Sequence, residues 1–189
     1  KLYRLIADEN MGSNEYSIEA WVRPDNTDQR GPARIVSYSM DTGNRNFTMG
    51  QQNYNYNFRN RSTGGGGSNG TPSLQTADAD RRLTTDLQHV VMTYDAEEGR
   101  KIYVDGEYTG DAEPREPGNL TNWNPFYSFL IGNELTNTRL WKGEVHFVAI
   151  HNRVLSAAEI QSHALAGSSN SLLLRFDVSE WTGQAGSVI

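Results

Sequence analysis

Two stretches of the chain carry the residue types that grip a sugar: flat rings for stacking, with amide or guanidinium groups beside them to hydrogen-bond hydroxyls. Tyr54-Asn55-Tyr56-Asn57-Phe58-Arg59 alternates ring and polar group, and Trp123-Asn124-Pro125-Phe126-Tyr127 sets its rings in a loop-like context. The candidate ligand-binding residues are therefore Tyr54, Tyr56, Arg59, Trp123 and Tyr127. Core packing is the competing use for Tyr54 and Tyr56, and a lid over the core competes for Trp123. Trp21 is expected to be structural, because a mid-strand Trp normally finds burial together with a partner for its N–H.

Bond-breaking chemistry is harder to assemble. A retaining glycosidase needs two carboxylates about 5–5.5 Å apart, which on one strand means acidic residues two or four positions apart. Glu144 is followed by Val145-His146-Phe147-Val148, and Glu19 has Ser17 and Trp21 at the i±2 positions. A lyase would set a Tyr beside a His or Arg, yet nothing in the spacing links Tyr54, Tyr56 or Arg59 to His89 or His146. His146 and His151 face opposite sides of a regular strand and so cannot share a metal. The glycines at 64–70 lack the Lys-Ser/Thr and the helix of a phosphate loop. With Cys 0, thiol catalysis, disulfides and cysteine zinc sites are excluded. The chain is not expected to be an enzyme.

The elements that must position these groups are strands. In Tyr16-Ser17-Ile18-Glu19-Ala20-Trp21-Val22, Tyr16, Ile18, Ala20 and Val22 share one face and Ser17, Glu19 and Trp21 the other, the period of a half-buried strand. Further strands are expected at residues 34–40, 46–50, 54–59, 87–94, 101–104, 107–109, 128–132 and 143–150, divided by turn chemistry. Asp105-Gly106 is the preferred dipeptide of a two-residue hairpin. Ser156-Ala157-Ala158-Glu159 is a capping box, with Leu155 and Ile160 placed as a hydrophobic staple. It opens the one short helix expected, near residues 156–166, and Gly167 stops it. A last strand over 172–178 either closes the sheet or opens a further segment. Many strands and one helix imply an all-β antiparallel sandwich or barrel.

A chain of 189 residues makes one domain, read as 1–167 with 168–189 as a terminal strand or the start of a following segment. Lys1 is not Met, no signal peptide is visible and no apolar run approaches a membrane span, so the chain reads as a piece of a longer protein. Its net charge of -6 disfavours nucleic acid as a partner.

The ordered set Ser17-Ile18-Glu19-Ala20-Trp21-Val22-Arg23-Pro24, Ile35-Val36-Ser37, Asn46-Phe47-Thr48, His89-Val90-Val91, Ile102-Tyr103-Val104-Asp105-Gly106, Ile131-Gly132, Trp141-Lys142-Gly143 and Asn152-Arg153-Val154-Leu155-Ser156 resembles the laminin-G-like, concanavalin-A-like jelly-roll family of bacterial extracellular proteins. The resemblance runs from about Tyr16 to Gly167. It implies two curved antiparallel sheets packed face to face. It also implies a non-catalytic recognition module for glycan or protein, extracellular, on the cell surface or periplasmic, within a larger polypeptide and not inserted in a membrane. Carbohydrate is the first expectation; a structural or protein–protein module and a glycan-active enzyme are the alternatives. Such domains often carry calcium, and by analogy with them Asp41, Asn44 and Glu134 are the candidate ligands of one ion, with a Glu134–Arg45 pair as the competing use of Glu134.

Overall fold

The computed structural model describes residues 1–167 and 174–176. A five-residue helix α1 (Leu2–Ile6) opens the chain, and the strands follow: β1 (Tyr16–Pro24), β2 (Ala33–Ser39), β3 (Arg45–Gln52), β4 (Asn55–Asn60), β5 (Leu74–Gln75), β6 (Gln88–Asp95), β7 (Gly99–Val104), β8 (Glu107–Tyr108), β9 (Ser128–Ile131) and β10 (Gly143–His151). Helix α2 (Ala157–Ala166) and β11 (Leu174–Phe176) complete it. Two antiparallel sheets form a jelly-roll sandwich: β11-β10-β1-β6-β7-β8 and β5-β4-β3-β2-β9. β11 pairs with β10 at the edge of the six-stranded sheet; the rest of the terminal strand expected over 172–178 lies outside the described residues. Helix α1 was not anticipated, since its N-cap, Lys1, makes no side-chain cap bond and it spans barely more than one turn.

The alternation read from the sequence sets the two faces. Tyr16, Ile18, Ala20 and Val22 of β1 point inward and are buried, as are Val36 and Tyr38 of β2, Phe47 and Met49 of β3, and Tyr56 and Phe58 of β4. At roughly 25 cal/mol per Å² of apolar surface, this shared layer is the main source of stability. Its aromatic centre is Tyr16, whose ring lies 5.3 Å from Phe47, 5.9 Å from Tyr94 and 5.2 Å from Trp123. The Tyr16 hydroxyl donates to Asn60 Oδ1 at 2.8 Å, so burial leaves it satisfied.

Helix α2 lies outside the sandwich, on the outer face of the six-stranded sheet. Its capping box is formed: the Glu159 amide donates to Ser156 Oγ at 3.3 Å and the Ser156 amide to Glu159 Oε2 at 2.9 Å. Leu155 and Ile160 join Val91 and Tyr103 in a small second core. The helix passes so close to the β7–β8 turn that a Cβ on Gly106 would stand 3.0 Å from the Ala164 methyl carbon. Positive φ at Asp105 and Gly106 closes that turn, as the dipeptide foretold.

Candidate functional site

The outer face of the five-stranded sheet is built from hydrogen-bonding groups. Ser37, Thr48, Asn57 and Arg59 are the outward members of their strands, and all but Arg59 are fully buried beneath flanking loops. Three connections border this face. Ser37 Oγ donates to the Asn133 carbonyl at 2.8 Å, Arg59 Nη1 to Asn69 Oδ1 at 3.2 Å, and Ser68 Oγ to the Gly43 carbonyl at 3.3 Å.

Two irregularities add arginines. The strand β3 slips register at Asn46, so Arg45 pairs with Ser39 and turns outward, its Nη1 donating to Thr48 Oγ1 at 3.3 Å. Arg59 stands directly across from the same Thr48 on β4. On β2 the slip at Ile35 sets Arg34 opposite Gly50. The Arg34 amide donates to the Arg139 carbonyl at 2.9 Å, and the charge of this fourth arginine acts on Arg34, Arg45 and Arg59. Arg34 and Arg45 are buried, while Arg59 and Arg139 are half-buried.

These guanidiniums meet neutral acceptors. Arg34 Nη1 donates to the Pro32 carbonyl at 2.6 Å and Arg45 Nη2 to the Thr42 carbonyl. Among the described residues no carboxylate lies within ion-pair distance of any of the four. Burial, then the charge of Arg45, pushes Arg34 down to about 9; burial, then the charge of Arg59, pushes Arg45 down to about 10. Glu134 offsets part of this from a distance.

Of the candidate ligand-binding residues, Arg59 alone belongs to this group. Tyr56 and Trp123 must be corrected: both are core residues. Tyr56 faces inward opposite Gln51, fully buried, and its hydroxyl donates to Gln88 Oε1 at 2.9 Å. A tight turn from Leu120 tucks Trp123 against Tyr16 and Phe47, and its Nε1 donates to the Arg61 carbonyl at 2.7 Å. Tyr54 is half-buried at the β3–β4 turn with the Arg81 guanidinium 4.9 Å above its ring, and Tyr127 packs partly buried against the core. The exposed ring of the second stretch is Phe126, at 91%. Trp141 is buried and donates to Gln51 Oε1.

The calcium ligand set does not fit a cation. Asp41 Oδ1 accepts from the Gly43 and Asn44 amides at 2.7 and 2.8 Å and from the Asn44 side chain at 3.0 Å. Glu134 Oε1 accepts from the Thr136 and Thr138 hydroxyls at 2.6 and 2.8 Å. Both carboxylates feel the Arg45 guanidinium, which repels a metal ion. Calcium wants about six to eight free oxygens; here both Asp41 oxygens and Glu134 Oε1 already accept bonds beside a fixed positive charge, and Glu134 Oε2 is buried. Among the described residues no group of three or more His, Asp or Glu side chains is placed to hold a metal.

The opposite outer face, on the six-stranded sheet, centres on Glu19. His89 Nε2 lies 2.9 Å from Oε1, His163 Nδ1 2.9 Å from the same atom, and His151 Nε2 3.0 Å from Oε2. Burial works against the charge, but the bonds from His89 and His151, with the charge of His163, outweigh it and hold the carboxyl at about 2, down from 4.5. Glu144 pairs with Arg23 at 3.1 Å and with His146 at 3.3 Å. A bulge at His146 breaks the strand's period and turns it to the side of Glu144, so the expectation of opposite faces for His146 and His151 fails. Each serves a different carboxylate. Trp21 is half-buried, its ring 5.0 Å from His89, and borders a cleft of about 270 Å³ with Gln161 and Leu165.

A family model described as the concanavalin A-like lectin/glucanases superfamily matches residues 3–161. Among solved structures the chain is similar to domain 4 of AbnA, a GH43 extracellular arabinanase from Geobacillus stearothermophilus, in complex with arabinotriose (TM-score 0.54, 16% identity, 82% of this chain and 68% of that one). It is similar to the Ruminococcus gnavus IT-sialidase CBM40 bound to α2,3 sialyllactose (TM-score 0.61, 13% identity, 78% and 81%). It also resembles the binding domain of botulinum neurotoxin DC in complex with rat synaptotagmin II (TM-score 0.54, 16% identity, 82% and 36%), spanning about a third of that chain. At these identities the likeness is one of fold. No curated protein sequence matches the chain.

Proposed function

The chain belongs to the concanavalin A-like lectin/glucanase superfamily, and from that membership and the geometry above we propose that it is a non-catalytic, extracellular carbohydrate-recognition module of a larger polypeptide. The observation that carries this reading is the outer face of the five-stranded sheet, where amide, hydroxyl and guanidinium groups replace the apolar alternation of the inner face. Solved structures of similar fold in complex with arabinotriose and with sialyllactose support it. Catalysis is disfavoured because the two carboxylates considered for it are tied down: Glu19 by three histidines, Glu144 by Arg23 and His146. A carboxyl held at about 2 is a poor general acid. No described helix is long and apolar enough to cross a membrane.

The test is a glycan array probed with the wild-type domain and with the Asn69→Ala variant, at the half-buried partner of Arg59. Retention of wild type and its loss in the variant, at an unchanged melting temperature, is the expected result. A blank array, or binding indifferent to the variant, overturns the reading.

A second reading, a protein–protein module without a sugar ligand, is favoured by apolar side chains on the other sheet and its helix. Phe147 stands opposite Trp21 and is 40% exposed, and Leu165 of α2 is 83% exposed. The neurotoxin domain in complex with synaptotagmin is the precedent of similar fold. A blank array together with capture of a folded protein partner, lost in Phe147→Ser, would favour it.

A further inference from the structure

We infer that the sugar recognised on the five-stranded face is acidic: a carboxylate or sulfate ester carried by the glycan is gripped by Arg59 and Arg139 at the rim, above Arg45 and Arg34. This rests on the carbohydrate reading and names its ligand class.

The protein shows how it treats a buried arginine whose purpose is structural. Arg100 on β7 is 1% exposed, and Glu113 meets it with both carboxylate oxygens, one of them 2.7 Å from Nε. Its other donors go to the Phe58 and Pro72 carbonyls at 2.9 and 3.0 Å. Nothing comparable happens on the outer face. Four guanidiniums gather there, and each bond they make ends on a carbonyl, a hydroxyl or an amide oxygen. Clustering like charges in a partly dry site costs stability, and it stands in a chain of net charge -6. Such an arrangement is what an anion needs, not what a fold needs.

Unspent donors mark the same place. Arg34 Nε, Arg45 Nε and Arg59 Nε are buried without a hydrogen-bond partner, and so is Ser39 Oγ on the strand that pairs with Arg45. Arg45 is 0% exposed and Arg34 is 1%. A guanidinium offers paired N–H groups at the spacing of two oxygens on one carbon or sulfur, so a carboxylate or sulfate fits it in a way a lone hydroxyl does not. Glu134, the one carboxylate whose charge reaches Arg34 and Arg45, is held by the Thr136 and Thr138 hydroxyls at Oε1 and leaves Oε2 buried and unpartnered instead of pairing with a guanidinium.

Titration calorimetry at low salt with methyl glucuronide, N-acetylneuraminic acid, glucose 6-sulfate, methyl glucoside and inorganic sulfate tests this. The proteins are wild type, Arg59→Gln, Arg139→Gln and the double variant. An acidic sugar is expected to bind at least about tenfold more tightly than methyl glucoside, the worth of one charge-assisted bond. Each single variant should lose about tenfold for that sugar, at a melting temperature equal to or above wild type. Raising ionic strength from about 0.05 to 0.5 M should weaken it further. Equal binding of the neutral sugar, untouched by the variants, overturns the acidic ligand and leaves the carbohydrate reading standing. No binding of any sugar overturns both. Inorganic sulfate bound as tightly as glucose 6-sulfate also overturns the inference, since the sugar then adds nothing.

Discussion

The two outer faces of the sandwich treat charge in opposite ways. On the six-stranded sheet one buried carboxylate, Glu19, is met by three imidazoles from β6, β10 and α2. On the five-stranded sheet four guanidiniums share the company of one buried carboxylate, Glu134, that touches none of them. The first cluster closes on itself and ties a helix to a sheet. The second leaves donors unspent, which lowers the stability of the protein and is the ground on which we infer an anionic ligand. Internal compensation is thus what distinguishes the two clusters.

The sharpest way to break this contrast is Glu19→Gln. Removing one member of a buried charged network costs about 3 kcal/mol, or roughly 6–12 °C in Tm, while sugar binding by the folded protein should be unaffected. A variant as stable as wild type would show that Glu19 holds nothing together. Acid sharpens the same point. Because the folded pKa of Glu19 lies near 2 against 4.5 for the ordinary group, its contribution is complete above about pH 4.5 and drains away as pH falls toward 2. Denaturant midpoints taken from pH 6 to pH 2.5 should fall more steeply for wild type than for Glu19→Gln, and parallel curves would refute it. Ser156→Ala should cost about 1 kcal/mol by uncapping α2, read as faster hydrogen exchange of the α2 amides. Arg45→Met, on the other face, should leave stability within about 1 kcal/mol of wild type or raise it, while binding of an acidic sugar falls. A loss of 3 kcal/mol there would mean that the arginines are structural after all. Smallest of all is the effect of a chelator: with both Asp41 oxygens and Glu134 Oε1 already accepting bonds, EDTA should leave the melting temperature where it was.

What could be read in advance was what repeats locally. Alternation along β1 placed Tyr16, Ile18, Ala20 and Val22 in the core, and Ser156 with Glu159 marked the start of α2. The arginine group could not be read this way, because residues 34, 45, 59 and 139 meet only through pairing between strands and loops far apart in the chain. Arg45 in particular shares the sequence phase of Phe47 and Met49, and only the slip at Asn46 turns it outward. The bulge at His146 hides its facing in the same way. Trp123 and Tyr56 show the converse: their polar neighbours in sequence suggest a surface, while long-range contacts with Tyr16, Phe47 and Gln88 make them core. The one signal for the arginines in the sequence is the excess of Arg over Lys in a Thr- and Asn-rich chain, since Arg suits planar, forked recognition of oxyanions.

Among the described residues, both sheets taper to margins of two to four residues: β8 and β11 on one, β5 and β9 on the other. Short margins of this kind blunt pairing with a strand from another chain at β5, β8 and β9.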